Sequence, residues 1–191
     1  MTVPGQGFPT VGCRVVADAT HDRGRFKPPR RLEPHVTALE FERTVPVDPS
    51  VAWDVLVDPV AFEAAAPNLS RVELPDGGIH EGAARHCADT AGRSWDETCT
   101  RYVEGETYAF EVDVPNSPVH RRLFRSFGGT FGVELDDGGS RVTMRFDYEP
   151  RYGPVGRLLV RAAAGRFRSM AETTLSNLDR TMRERAATRT V

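Results

Sequence analysis

The chain has 191 residues, 39% of them hydrophobic and 27% charged, a balance that describes one soluble globular domain, two at most, and excludes collagen-like, coiled-coil and disordered classes. A formal net charge of -2 and a pI near 6.2 leave no global positive field of the kind a dedicated nucleic-acid binder carries. Charge is nevertheless segregated, with surpluses of +3 in residues 1–34, -11 in 35–150 and +6 in 151–191. Basic ends therefore flank an acidic body, which they can meet directly or through an acidic partner.

Residues 1–34 are rich in Pro, Gly and Arg, end in KPPRR at 27–31 and show no sustained period, so they read as an N-terminal extension to a domain over 35–191. From Thr37, TALEFERTV alternates, with Leu39, Phe41 and Val45 on one face, as a half-exposed strand does. Asp48 before Pro49 opens a short helix carrying Val51, Trp53 and Val55. A second follows over 59–66 and stops at Pro67. Strand candidates then run at 69–74, 79–89, 94–103, 106–114, 122–135 and 140–149, separated by PDGG, AG, EG, PNSP and DDGG turn signals that predict sequential hairpins. After Gly153–Pro154 the period becomes helical for about 30 residues. Its stripe is Val155, Leu159, Ala162, Ala163, Phe167, Met170, Thr174, Leu178 and Met182. The compact solution is α+β, a meandering sheet wrapped around the last helix.

Several chemistries are excluded. Lys27 is the only lysine, so P-loop and kinase-type lysine chemistry is absent from residue 35 onward. Cys13, Cys87 and Cys99 are odd in number and widely spaced, which predicts neither disulfides nor a zinc site and fits a reducing compartment. No GxSxG, HExxH or dinucleotide fingerprint occurs, so no metal or other cofactor is expected. FGGTFG at 127–132 sits inside a strand pattern and reads as sheet curvature. The start of the chain lacks an apolar secretory core, and VGRLLVRAAAG at 155–165 is broken by Arg157 and Arg161, so a cytoplasmic protein without a transmembrane segment is expected.

With VPVDPSVAWDVLVDP after the first strand, WDE in a mid-chain strand, and FGGTFGVEL and SRVTMRFDYEPRYGPVGRLL leading into the final helix, the chain resembles the START-like (SRPBCC) superfamily of polyketide cyclases and lipid-transfer proteins over roughly residues 37–187. The resemblance implies a helix-grip fold: a curved antiparallel seven-stranded sheet around a long C-terminal helix, with two short helices after the first strand and an elongated ligand cavity between sheet and helix.

Turn geometry predicts what faces that cavity, because a one-residue slip turns every side chain over. A two-residue loop at Ala91–Gly92 pairs His86 with Glu97 and Ala88 with Trp95, while one at Glu104–Gly105 pairs Arg101 with Tyr108, Cys99 with Phe110 and Glu97 with Val112. A loop at Asp137–Gly138 pairs Phe131 with Met144, Gly129 with Phe146 and Phe127 with Tyr148. The inner wall then carries Trp95, Cys99, Tyr108, Phe110, Val112, Phe127, Phe131, Met144, Phe146 and Tyr148, with Phe167 and Met170 opposite on the helix. Six polar side chains interrupt it: His86, Glu97, Arg101, Tyr108, Tyr148 and, if the parity of Phe127 holds, Arg125.

As catalytic groups, His86 would be the general acid or base, Glu97 its orienting carboxylate, and Arg125 or Arg101 the cation beside an enolate or ketone, as aldol cyclisation and dehydration of a polyketide require. The alternative is a satisfied polar network in a non-catalytic lipid, isoprenoid or quinone carrier. His120–Arg121–Arg122 lies in the loop before the sixth strand, that at 122–135, as a gate or a solvated loop. The expected partner is a hydrophobic small molecule. The basic ends, with Arg180, Arg183 and Arg185, suit an acyl carrier protein, another acidic protein or an anionic surface, and a homodimer stays open.

Overall fold

A computed structural model describes residues 12–14 and 37–189. In chain order its elements are β1 (Gly12–Arg14), β2 (Thr37–Val45), α1 (Pro49–Leu56), α2 (Pro59–Ala65), β3 (Leu69–Glu73), β4 (Ala84–Asp89), β5 (Ser94–Val103), β6 (Thr107–Val112), β7 (Phe124–Asp136), β8 (Gly139–Pro150) and α3 (Gly153–Arg189). The strands form one antiparallel sheet in the order β1-β2-β8-β7-β6-β5-β4-β3. Seven of them are the predicted meander, and α3 packs across its concave side in the helix-grip arrangement. The eighth, β1, comes from the segment read as an extension and pairs with β2 through Cys13 and Phe41.

Local chemistry accounts for both short helices. The Asp48 carboxylate accepts from Ser50 N–H at 2.8 Å with Pro49 in the first turn, and Asp58 accepts from Val60 N–H at 2.9 Å with Pro59 behind it. Each Asp-Pro pair satisfies orphan donors and supplies a preset φ. Ala66 is extended, as a residue before proline prefers, and closes α2.

The two halves of α3 differ. From Ala171 onward the helix buries Ala171, Leu175, Leu178 and Met182 against α1, α2 and β2. Ion pairs also hold this half: Arg43–Asp179 at 2.9 Å, Arg183–Asp179 at 2.6 Å, Arg185–Asp58 and Arg189–Asp54. The basic C-terminal end thus docks on the acidic body of its own chain through Arg185 and Arg189, while Arg183 is taken up by Asp179 within α3. Toward the N-terminus only Gly156 and Val160 are buried, whereas Val155, Leu158 and Leu159 are exposed. The inward stripe is therefore displaced by one position from the predicted Val155–Leu159 line. Gly156 explains the displacement: its ideal Cβ would stand 1.5 Å from the Arg151 carbonyl oxygen, so only glycine allows this turn to lie so close to the chain entering it.

Candidate ligand-binding cavity

A cavity of about 560 Å³ lies between the inner face of the sheet and residues 160–174 of α3, with α2 and the β6–β7 connection closing its sides. Its wall is aromatic, comprising Phe62, Trp95, Phe110, Phe124, Phe127, Phe131, Phe146, Tyr148 and Phe167. These rings hold one another: Phe110 stacks on Phe131 at 5.5 Å, and Phe167 meets Phe146 edge-on at 5.0 Å. Met144 and Met170 add to the apolar lining, with Leu39, Val119, Leu123 and Val160. Exposed Thr90, Ala91 and Arg93 on the β4–β5 turn, with Ala163 and Arg166 on α3, form the rim.

That turn overturns the predicted pairing of His86 with Glu97. Asp89 N–H donates to the Arg93 carbonyl at 2.9 Å, which encloses three residues rather than two, with Gly92 at φ +76° where a side chain would be strained. The Asp89 carboxylate accepts from Ala91 N–H at 3.0 Å and Arg93 N–H at 2.9 Å and pairs with the Arg93 guanidinium. Burial alone would raise this carboxyl, but the Arg93 contacts outweigh it and hold it below its ordinary range. The extra loop residue shifts the register by one, so Arg85 pairs with Glu97 and His86 with Asp96. His86 points outward, 2.5 Å from Asp96, and its side chain is 44% exposed.

Arg85 takes the inward place. Its Nε donates to Glu97 Oε2 at 2.6 Å, while Trp95 Nε1 donates to Glu97 Oε1 at 2.7 Å. The guanidinium lies 4.3 Å from the Phe110 ring centroid, within cation–π range. Burial works against this cation, and the Glu97 carboxylate more than compensates, so its pKa is raised. Cys87, facing the cavity beside the pair, has its thiol pushed up to about 12 by burial and the Glu97 charge.

The remaining predicted residues divide by their distance from bulges. Pairings across β7 and β8 agree in register, and Phe127, Phe131, Met144, Phe146 and Tyr148 line the cavity with Trp95, Glu97, Phe110, Phe167 and Met170. Arg125 does not. A shift between Phe124 and Ser126 turns it outward to Glu149 at 3.3 Å, 61% exposed, and gives Phe124 the inner place. The His86–Glu97–Arg125 row therefore does not form. A second bulge between Cys99 and Arg101 pairs Arg101 with Ala109 instead of Tyr108, and Arg101 is not in the wall. Tyr108 is buried behind the cavity, its hydroxyl donating to the Leu56 carbonyl at 3.4 Å, and burial pushes it up to about 12. Cys99 and Val112 are core residues that do not reach the lining.

The most informative unpredicted arrangement is the β6–β7 connection. Residues 113–124 are wound by successive backbone bonds, including Ser117 N–H to Asp113 O at 3.0 Å and Phe124 N–H to His120 O at 2.9 Å. This leaves Arg121 and Arg122 exposed and buries His120 under the aromatic wall, 4.9 Å from Phe127 and 5.3 Å from Trp95 between ring centroids. Nδ1 of His120 is 2.8 Å from the hydroxyl of fully buried Ser117. Desolvation pushes the ring down to about 4, so it is neutral at pH 7.

The family model for polyketide cyclase/dehydrase and lipid transport matches residues 36–183. The chain belongs to this family. No curated protein sequence matches it. Among solved structures, this family member is similar to the Zhui aromatase/cyclase from Streptomyces sp. R1128, with a TM-score of 0.62 and 14% identity over 79% of this chain and 96% of that one. It is similar to TTHA0849 from Thermus thermophilus at 0.62 and 16% identity, covering 78% and 99%. The di-domain ARO/CYC StfQ from the steffimycin biosynthetic pathway gives 0.64 and 12% identity, and here the match covers 80% of this chain but 52% of StfQ. At such identities these likenesses establish the shared fold.

Within this polyketide cyclase/dehydrase family member, the carboxylates of Glu97 and Asp89 are both engaged by protein donors. Two polar atoms on the aromatic wall have no protein partner among the described residues, Nε2 of His120 and the hydroxyl of Tyr148. Burial raises the Tyr148 hydroxyl, which keeps it protonated. Beside the mutually paired Arg85 and Glu97, the wall therefore presents these two neutral hydrogen-bonding groups in apolar surroundings. Among the described residues no His, Cys, Asp and Glu cluster suits a metal, and no helix is long and apolar enough to cross a membrane.

Proposed function

We propose that the protein binds a hydrophobic, oxygen-bearing small molecule between the sheet and α3, and that cyclisation or dehydration of a polyketide-type substrate is its chemistry. One observation carries the reading: a void of about 560 Å³ whose wall holds nine Phe, Tyr and Trp side chains, the neutral His120 ring and the mutually paired Arg85 and Glu97, the composition and size of a small-molecule site. Membership of a family of polyketide cyclases, dehydrases and lipid-transport proteins supports binding of such a molecule and is consistent with this chemistry. The aromatic faces would fold a flexible chain into a reactive conformation, and the neutral donors would polarise a carbonyl as charge develops on it.

Non-catalytic carriage of a lipid, isoprenoid or quinone is the second reading, and the wall itself favours it. Proton abstraction needs a base, both carboxylates are engaged, and a ring pushed down to about 4 is a weak one. Titration of the full chain with 1-anilinonaphthalene-8-sulfonate, together with native mass spectrometry for a co-purified molecule, tests the shared part. One equivalent should bind, Ala164→Phe on the cavity face should abolish it, and Val155→Phe on the exposed face should not. Equal binding by all three proteins overturns the cavity reading. Accelerated aldol closure of an aromatic poly-β-ketone supports the cyclase, and stoichiometric binding without acceleration supports the carrier.

A further inference from the structure

The Ser117–His120 contact assigns a direction to the cavity's recognition chemistry, and this inference rests on the cavity reading above. Ser117 is fully buried, and its oxygen already accepts the backbone N–H of His120 at 3.3 Å. Its hydroxyl proton needs an acceptor, because a buried unsatisfied O–H is costly. Among the described residues the one acceptor bonded to it is Nδ1 of His120, at 2.8 Å. Nδ1 is thus the unprotonated nitrogen, and in a neutral imidazole the proton then resides on Nε2.

We infer that Ser117 is a positioning residue that holds His120 as a neutral Nε2–H donor, so that the aromatic end of the cavity selects a ligand carrying an acceptor oxygen, a ketone or quinone carbonyl, over one presenting an N–H at the same place. Backbone bonds wind residues 113–124 around the pair, and the rings of Trp95, Phe124 and Phe127 fix the imidazole plane. Among the described residues no carboxylate or cation contacts the ring to favour the other tautomer or the charged form. The Tyr148 hydroxyl lies on the same wall, across Phe127 and Phe124, and as a rotor it serves as donor or acceptor alike. Directional choice therefore belongs to His120.

Three tricyclic probes of nearly equal shape test this: fluorene (neither donor nor acceptor), 9-fluorenone (acceptor) and carbazole (N–H donor), each titrated against Trp95 fluorescence in the full chain. The fluorenone-to-fluorene affinity ratio in the wild type should exceed that in a Ser117→Ala/His120→Phe double variant by about threefold to tenfold, the range of one neutral hydrogen bond. Ser117→Thr should keep the ratio and Ser117→Ala lower it, whereas a merely structural Ser117 would weaken all three probes together. Long-range ¹H–¹⁵N correlation spectra should show the His120 ring neutral and protonated at Nε2 at pH 7. A carbazole gain that disappears with His120, or an Nδ1–H ring, overturns the inference while leaving the cavity reading intact. Failure of every probe to bind overturns both.

Discussion

Replacing Arg85 by methionine should cost about 3–5 kcal/mol, the penalty for stranding one charge of a buried pair. The structure gives reasons for the full penalty: Arg85 is 8% exposed and Glu97 4%, and the Trp95 indole occupies the other carboxylate oxygen. For a domain of this size the loss corresponds to a fall in Tm of about 6–20 °C. Glu97→Gln should cost a similar amount by stranding the guanidinium. The double variant Arg85→Met/Glu97→Gln buries no charge, and the introduced amide oxygen would still accept from Trp95, so its cost should return to about 1–3 kcal/mol, the range for one poorly satisfied polar group. Urea unfolding followed by circular dichroism at pH 7 measures the three values, and the coupling energy should exceed about 3 kcal/mol. Additivity within about 0.5 kcal/mol, or an Arg85→Met cost below about 1 kcal/mol, would refute both the burial of the pair and the three-residue turn that places it.

Gly129→Ala should destabilise by about 1–3 kcal/mol, because its Cβ would stand 2.7 Å from the Phe110 ring and 3.3 Å from the Arg145 carbonyl oxygen. The cost should shrink in a Phe110→Leu background, and an unchanged cost would show that the ring is not the obstacle. His120 titrates near 6.5 unfolded and about 4 folded, so its contribution is present above pH 6.5 and lost as pH falls toward 4. Wild-type stability should drop by about 3 kcal/mol more than that of His120→Gln over this window, and parallel profiles would argue against a buried neutral ring. Hydrogen exchange should open amides of 157–165 in α3 at least about tenfold faster than those of 174–185, and uniform protection would contradict the division of that helix.

The long elements were legible because period and punctuation agreed. Asp-Pro pairs announced both short helices, alternation announced seven strands, and Asp137–Gly138 set the β7–β8 register that carried Phe127, Phe131, Met144, Phe146 and Tyr148 to the cavity. The polar residues failed where one backbone residue is added or absorbed. AG between Thr90 and Arg93 looks like a two-residue loop, yet Asp89 caps a three-residue one, exchanging His86 for Arg85. Bulges at Thr100 and Arg125 leave no hydrophobic trace, because the strands continue to alternate on either side. His120 was hidden for another reason. Its burial depends on backbone bonds within a turn-rich stretch that carries no period at all. One signal was available: Asp89, four residues before Arg93, is the kind of side chain that rewrites a tight turn.

α3 behaves as a beam clamped at one end. Among the described residues its ion pairs to the body all lie at or beyond Asp179, while the portion before Ala171 that roofs the void rests on little more than Gly156, Val160 and Phe167. Admitting a guest thus asks only the overhanging portion to deflect, and the anchorage that keeps the domain folded stays undisturbed.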